Sequence, residues 1–417
     1  MEKMRINRDN YLSELLLRRG NGMVKVVTGM RRSGKSYLLT KIFHEHLLGE
    51  GVRPDHILEV ALDDRRKARL RDPDEMLAWI EGSMGDGGTY YLILDEVQFL
   101  GEFAEVLNSC LHIDNLDVYV TGSNSRFLST DVITEFRGRG DEIHVFPLSF
   151  AEFSSASGLP FSKALDDYLR YGGLPYVLSC GTEKQKISYL THLFREVYVK
   201  DLVERNRLQH PAEMEELLRF YASSVGSLSS QRKLADTFLS VKGVRLSVNT
   251  IGAYSDHLED AFLLNKAMRY DIKGRRHIDS PHKYYFEDIG IRNACLGFRQ
   301  LELNHLMENL IYNELRKWGF IVDVGNVATT GGDGHSRQML EVDFVANQGH
   351  RRYYIQSAYQ IPDDEKREQE MRPLLKINDA FRKVVVTFDG MPPYHNEDGI
   401  LVLRLEDFLK GQESLDI

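Results

Sequence analysis

Gly29-Met30-Arg31-Arg32-Ser33-Gly34-Lys35-Ser36 fits the pattern G-x-x-x-x-G-K-[ST], the Walker A phosphate-binding loop, and it decides the fold of the first third of the chain. The apolar run Met23-Val24-Lys25-Val26-Val27-Thr28 before it predicts a buried strand, and Tyr37 to Leu48 after it predicts a helix. In that setting the glycines let the backbone fold round a polyphosphate, and the first N–H groups of the helix point at the anion. Gly29, Arg31, Arg32, Ser33, Gly34, Lys35, Ser36 and Tyr37 are therefore the expected nucleotide-binding residues. Lys35 is expected to reach the β- and γ-phosphates and Ser36 to place its hydroxyl on Mg²⁺. The pattern does not decide whether Arg31 and Arg32 reach nucleotide, a partner or water.

Strand-like and helix-like stretches alternate on either side of this loop, which argues for a parallel sheet covered by helices. Ile57 to Leu62 predicts a strand, Pro73 to Glu81 a helix, Tyr90 to Glu96 a strand and Phe103 to His112 a helix. A further strand runs from Asp117 into the turn Thr121-Gly122-Ser123-Asn124. Asp95-Glu96 closes a buried strand about 60 residues after the loop, the place of Walker B. Asp95 is expected to hold the Mg²⁺ shell, and Glu96 to orient and polarise the attacking water. Ser123 and Asn124 end the next strand and are equal candidates for sensing the γ-phosphate. Arg137 and Arg139, in Phe136-Arg137-Gly138-Arg139-Gly140, are candidates to stabilise phosphoryl charge in cis or across a subunit boundary. A solvated loop would read the same way.

Length and composition bound the rest. At 417 residues, two or three domains are expected, and 42% hydrophobic residues suffice for their cores. No segment approaches the ~20 apolar residues of a membrane span, and the N-terminus lacks the apolar region of a secretion signal. Cys110, Cys180 and Cys295 are too scattered for a disulfide framework or a zinc spacing, as expected of thiols in a reducing cytoplasm. The net charge of −9 argues against a basic coat but leaves room for a local nucleic-acid groove.

Beyond residue 155 the pattern changes. Helical periodicity from Phe161 to Phe220 predicts a lid-like helical region over 156–225. Over 226–298, a helix after Ser229-Ser230, a second after Ser247 and a hairpin follow one another in the winged helix-turn-helix order. Asn249, Thr250, Tyr254 and His257 would face a partner there, with Lys273, Arg275 and Arg276 on the wing. Asp256, Glu259 and Asp260 on the second helix suit a phosphate backbone poorly, so protein and DNA both remain open as partners. Over 299–417, the order of a helix bearing Glu308, a strand bearing Asp343, a strand Arg352–Tyr359, a charged helix and a strand resembles the restriction-endonuclease-like, PD-(D/E)xK fold. That chemistry needs Asp, then Glu-x-Lys. Gln356-Ser357-Ala358 offers an amide and a methyl group instead, so the scaffold is expected to have lost catalysis unless a lysine such as Lys366 has migrated.

Taken together, Thr28 to Ser36, Leu94-Asp95-Glu96-Val97-Gln98, Thr121 to Ser125, Phe146-Pro147-Leu148-Ser149-Phe150-Ala151-Glu152-Phe153 and Tyr171-Gly172-Gly173-Leu174-Pro175 resemble an AAA-type ATPase family of bacteria and archaea. The resemblance covers nearly the whole chain. It implies an ASCE P-loop ATPase domain over 1–155, with an extra strand between Walker A and Walker B and a catalytic Glu, followed by a region of unknown function. Gly172-Gly173-Leu174-Pro175 resembles the Gly-x-Pro element of STAND switch ATPases, which implies that Pro175 contacts adenine. The function expected first is ATP hydrolysis with Mg²⁺, coupled to movement of the C-terminal modules and acting on DNA, branched or single-stranded, with or without a protein partner and homo-oligomerisation. A STAND-like signalling switch and an ATP-gated, Mg²⁺-dependent nuclease are the alternatives.

Overall fold

The computed structural model describes residues 6–122, 138–208, 210–330 and 337–417. The chain forms two compact units, one of Met1–Pro147 with Asp260–Phe262 and one of Leu148–Glu259 with Leu263–Ile417.

The first unit begins with α1 (Asp9–Leu17), β1 (Val24–Thr28) and α2 (35–49). It continues through β2 (Ile57–Ala61), α3 (Pro73–Ser83), β3 (Tyr90–Asp95), α4 (Phe103–Cys110), β4 (Leu116–Thr121) and β5 (Gly140–His144). The middle of α2, Leu38–Phe43, is π-helical. The strands form one parallel sheet in the order β2-β3-β4-β1-β5, so β4 separates the Walker A strand from the Walker B strand. Alternate residues serve opposite faces. Val26, Val60, Leu92, Leu94, Val118 and Val120 pack with Met76, Ile80, Val106 and Leu107 of α3 and α4. On the other face Val27, Ile93, Tyr119 and Ile143 meet Leu15 of α1 and Leu38, Leu39, Ile42 and Phe43 of α2. Lys25, a cation inside a central strand, is fully buried because Asp117 on neighbouring β4 pairs with it and the Tyr119 ring lies 4.9 Å away.

The second unit starts with helices α5 (Phe150–Ser157), α6 (Phe161–Tyr171), α7 (183–206), α8 (Pro211–Ser223), α9 (Gln231–Lys242) and α10 (Val248–Asp260). Capping boxes fix two starts, Ser149 with Glu152 and Thr182 with Gln185, and the Ser230 hydroxyl caps α9. The hairpin β6 (Leu264–Asp271) and β7 (Arg276–Phe286) follows. Then come α11 (Ile289–Cys295), α12 (Leu303–Lys317), β8 (Ile321–Thr330), β9 (Arg337–Gln348), β10 (Arg351–Ala358), α13 (Asp364–Leu375), β11 (Arg382–Thr387), β12 (Tyr394–His395) and β13 (Leu401–Arg404). Eight strands make one sheet in the order β12-β13-β11-β10-β9-β8-β6-β7. The hairpin enters it through parallel pairing of Arg269–Asp271 with Val324–Asn326. Tyr254, expected on the outward face of α10, is buried instead, because that stripe packs inward with Ile251 and Leu258. Asn249 is exposed and His257 half-buried. Among the described residues no helix is long and apolar enough to cross a membrane.

Gly172-Gly173 follows α6 and meets the start of α11. The Gly173 N–H donates to Asp288 at 2.8 Å, and the Ile291 N–H donates to the other carboxylate oxygen at 2.9 Å. A Cβ on Gly290 would lie 2.1 Å from the Tyr171 carbonyl oxygen, so only glycine fits this approach. Burial raises the Asp288 pKa to about 6, against the pull of these N–H bonds and of Lys317. Between about pH 4 and about pH 6 the folded state keeps a proton that the unfolded chain has lost, so this group's contribution to stability falls as pH rises through that window, by roughly 3 kcal/mol. Chemical denaturation of wild type and Asp288→Asn across this range should show the extra downward slope in wild type alone. Equal slopes would refute the assignment.

Candidate nucleotide site

The phosphate loop leaves β1 at its C-terminal end and enters α2, because the sequence places an all-buried strand before it and a helix former after it. Gly29 adopts φ +132, and a Cβ there would sit 2.3 Å from the Val145 carbonyl oxygen, so the loop's first turn requires glycine. Gly34 adopts φ +106 immediately before α2. Lys35 is buried, and its ammonium donates to the carbonyls of Gly29 at 2.8 Å and Met30 at 2.9 Å. The N–H groups of Lys35, Ser36 and Tyr37 belong to the first helical turn, which has no intrahelical acceptors.

Beside the loop, the Ser36 hydroxyl donates to Asp95 Oδ1 at 2.8 Å. The Thr121 hydroxyl donates to the same oxygen at 2.5 Å and accepts the Glu96 N–H at 2.9 Å. Burial raises the pKa of Asp95; the hydroxyl bonds of Thr121 and Ser36 oppose the shift, and the charges of Glu96 and Asp63 add to it. Glu96 takes a left-handed conformation, φ +56, and the Gln98 amide bonds its carboxylate. Parallel pairing of β4 with both β1 and β3 brings these parts of three strands to one edge of the sheet. The site fits a Mg²⁺-bound polyphosphate: the glycine turn admits no side chain, Ser36 and Asp95 form a hydroxyl–carboxylate pair, and the buried Ser33 Oγ has no hydrogen-bond partner among the described residues.

The remaining expected residues divide. Arg31 is half-buried, while Arg32 and Tyr37 are exposed at the loop's rim. Ser123, Asn124 and Arg137 lie outside the described residues. Sequence reasoning weights that turn toward Ser123 and Asn124, whereas Thr121 is the residue that holds Asp95; its signal is a hydroxyl ending the strand next to Walker B. Arg139 is not brought to the loop. It accepts the Val24 N–H through its carbonyl at 2.9 Å, at the start of β1 and β5, and roughly 20 Å of strand length separates it from Gly29. Pro175 belongs to the second unit, where it opens a 3₁₀ turn, Pro175–Ser179.

A five-stranded parallel sheet with β4 between the Walker strands, a glycine-pinned loop and a carboxylate pair at the C-terminal ends of the strands make the fold of a P-loop AAA-type domain. The sequence profile of an AAA domain matches residues 21–154, and that of a domain of unknown function matches 162–302. An uncharacterized protein of Haemophilus influenzae is 31% identical, covering 98% of this chain and 100% of its own. The chain belongs to the same family as that protein. An uncharacterized protein of Methanocaldococcus jannaschii is 24% identical over 92% of this chain and 85% of its own. Two similar solved structures are the Aeropyrum pernix ORC1 protein in complex with DNA and Cdc6p from Pyrobaculum aerophilum. The first is 12% identical with a TM-score of 0.28, covering 70% of this chain and 92% of its own. The second is 12% identical with a TM-score of 0.31, covering 74% of this chain and 96% of its own.

Proposed function

We propose that the protein is a cytoplasmic, Mg²⁺-dependent ATP hydrolase whose nucleotide state drives conformational change in the second unit, with DNA as its target. The observation that carries hydrolysis is the hydroxyl–carboxylate array Ser36–Asp95–Thr121 with Glu96 one residue on. In it, Ser36 and Asp95 would hold Mg²⁺, which neutralises phosphate charge when bound. Lys35 exchanges its carbonyl partners for phosphate oxygens, and Glu96 positions the attacking water and polarises it. Contact of Pro175 with adenine and of Arg139 with nucleotide on a neighbouring copy belong to this reading as proposals.

DNA is supported by fold-level analogy and by one surface. Two helices and a hairpin follow the winged-helix order, and α12-β8-β9-β10-α13-β11 follows the nuclease-like order. A cleft of about 550 Å³ is lined by Lys273, Arg275, Arg352, Tyr270 and Phe381, among others. The Arg352 guanidinium lies 5.3 Å and 5.2 Å from the two ring centres. Cations interleaved with rings suit a phosphate backbone with stacked bases. Phosphate release should accelerate several-fold with single-stranded or branched DNA. Absence of DNA binding at low salt would sink the DNA reading, and turnover below about one per hour, far under ordinary enzyme rates, would favour a switch. Nuclease action is disfavoured, because the third ligand position holds the neutral Gln356, whose amide donates to Glu370 at 3.1 Å and accepts the Asp343 N–H at 3.4 Å.

A further inference from the structure

Glu308 on α12 and Asp343 on β9, the two carboxylates of the nuclease-like order, do not face each other across empty space. The ammonium of Lys283, from β7 of the hairpin, lies between them. Its Nζ is 2.8 Å from Glu308 Oε1, 2.8 Å from Glu341 Oε1 and 3.3 Å from Asp343 Oδ1. Lys283 is only 3% exposed. An ammonium has three protons and no lone pair, and here it has three carboxylates. Surrounding bonds fix the carboxylates in turn: the Tyr285 hydroxyl donates to Glu308 Oε1 at 2.7 Å, and the Ser357 N–H donates to Asp343 Oδ2 at 2.9 Å. Gly226 closes the far side, where a Cβ would come within 2.8 Å of the Glu308 carboxylate.

We propose that Lys283 is the resident cation of this cluster: its ammonium stands where Glu308, Glu341 and Asp343 would otherwise hold a divalent ion, and so keeps this part of the protein free of metal. The cage is sized for the occupant it has. Its distances match N–H···O bonds, whereas Mg²⁺ sits about 2.1 Å from its oxygens and Ca²⁺ about 2.4 Å. Among the described residues no group of three or more His, Cys, Asp or Glu side chains is set to hold a metal. The inference deepens the nuclease-like reading of 299–417, but the electrostatic argument needs only the four side chains.

Mn²⁺ binding to nucleotide-free protein, read by electron paramagnetic resonance, tests it. Wild type and Asp343→Asn should bind Mn²⁺ alike. Lys283→Met, which keeps the stem and removes the charge, should gain a site at least about tenfold tighter than any in wild type, lost again when Asp343→Asn is added. Asp343-dependent Mn²⁺ binding by wild type would overturn the proposal, as would a folded Lys283→Met that gains no site. Should Lys283→Met not fold, the wild-type thermal midpoint decides: insensitivity to Mn²⁺ against chelator supports the proposal, and an Asp343-dependent rise refutes it. Failure of the DNA-binding test would remove the DNA reading and leave this metal titration unaffected.

Discussion

Replacing Glu96 by Gln should lower ATP turnover by about 10²- to 10⁴-fold, the range expected for loss of a general base, while ATP affinity stays within a few-fold of wild type. The two side chains have the same shape, so the strand end and its hydrogen bonds survive. The Glu96 N–H keeps its bond to Thr121, and the left-handed backbone at φ +56 is unchanged. What is lost is the negative charge that, in the proposed mechanism, polarises water. Phosphate-release kinetics and equilibrium nucleotide binding on the same preparation separate the two effects. Turnover within threefold of wild type would take the base role away from Glu96. Lys35→Ala should instead lose nucleotide binding altogether, since its ammonium is the one buried cation on the loop; it tests the site and not the catalytic role.

The second large effect is on stability. Arg292, fully buried on α11, donates to the carbonyls of Ala222 at 2.7 Å and Gln300 at 2.5 Å, and to Asn293 Oδ1 and Glu302 Oε2 at 3.1 Å each. Burial lowers its pKa, a sign of what desolvating the charge costs, and the Glu302 bond offsets part of it. Arg292→Met fills similar volume but removes the bonds to the buried Ala222 carbonyl and to the part-buried Gln300 carbonyl. It should destabilise the second unit by about 3–5 kcal/mol, as removal of one partner from a buried ionic network does. Glu302→Gln, at a half-exposed side chain, should cost no more than about 1 kcal/mol. Urea denaturation of the two variants checks the contrast, and equal losses would show that the carbonyl bonds matter little. Lysine is no substitute for Arg292, because the planar guanidinium serves partners in several directions at once.

The candidate nucleotide site is legible as a set of strand ends because its parts lie there in short contiguous runs. Val24–Thr28 reads as a buried strand, the next eight residues as the loop, and Tyr90–Asp95 as a buried strand ending in a carboxylate. The β4 insertion followed from the family resemblance and not from periodicity, which cannot order parallel strands. Other features were beyond reach for a common reason: their partners are distant in sequence. Lys283 comes from a hairpin 60 residues before Asp343, whereas the lysine nearest in sequence to Gln356-Ser357-Ala358, Lys366, pairs with Glu370, the carboxylate that also accepts the Gln356 amide. Arg292 reads as an ordinary surface cation until the carbonyls of residues 222 and 300 converge on it. Arg139, a candidate in cis or across a subunit boundary, stands at the start of β5, and the direction of that strand puts it at the end of the strands away from the phosphate loop.

The parallel splice of β6 onto β8 also sets how the second unit can be divided. A fragment begun near residue 299 would retain the six strands from β8 onward, yet it would bare the β8 backbone at Val324–Asn326 that the hairpin now satisfies, and would leave Glu308, Glu341 and Asp343 without their cation. An unpaired strand edge is a template for aggregation, and three uncompensated carboxylates are a source of repulsion. A seam near residue 299 therefore runs between β8 and β6 of one hydrogen-bonded sheet, and whatever moves the hairpin pulls the C-terminal strands with it.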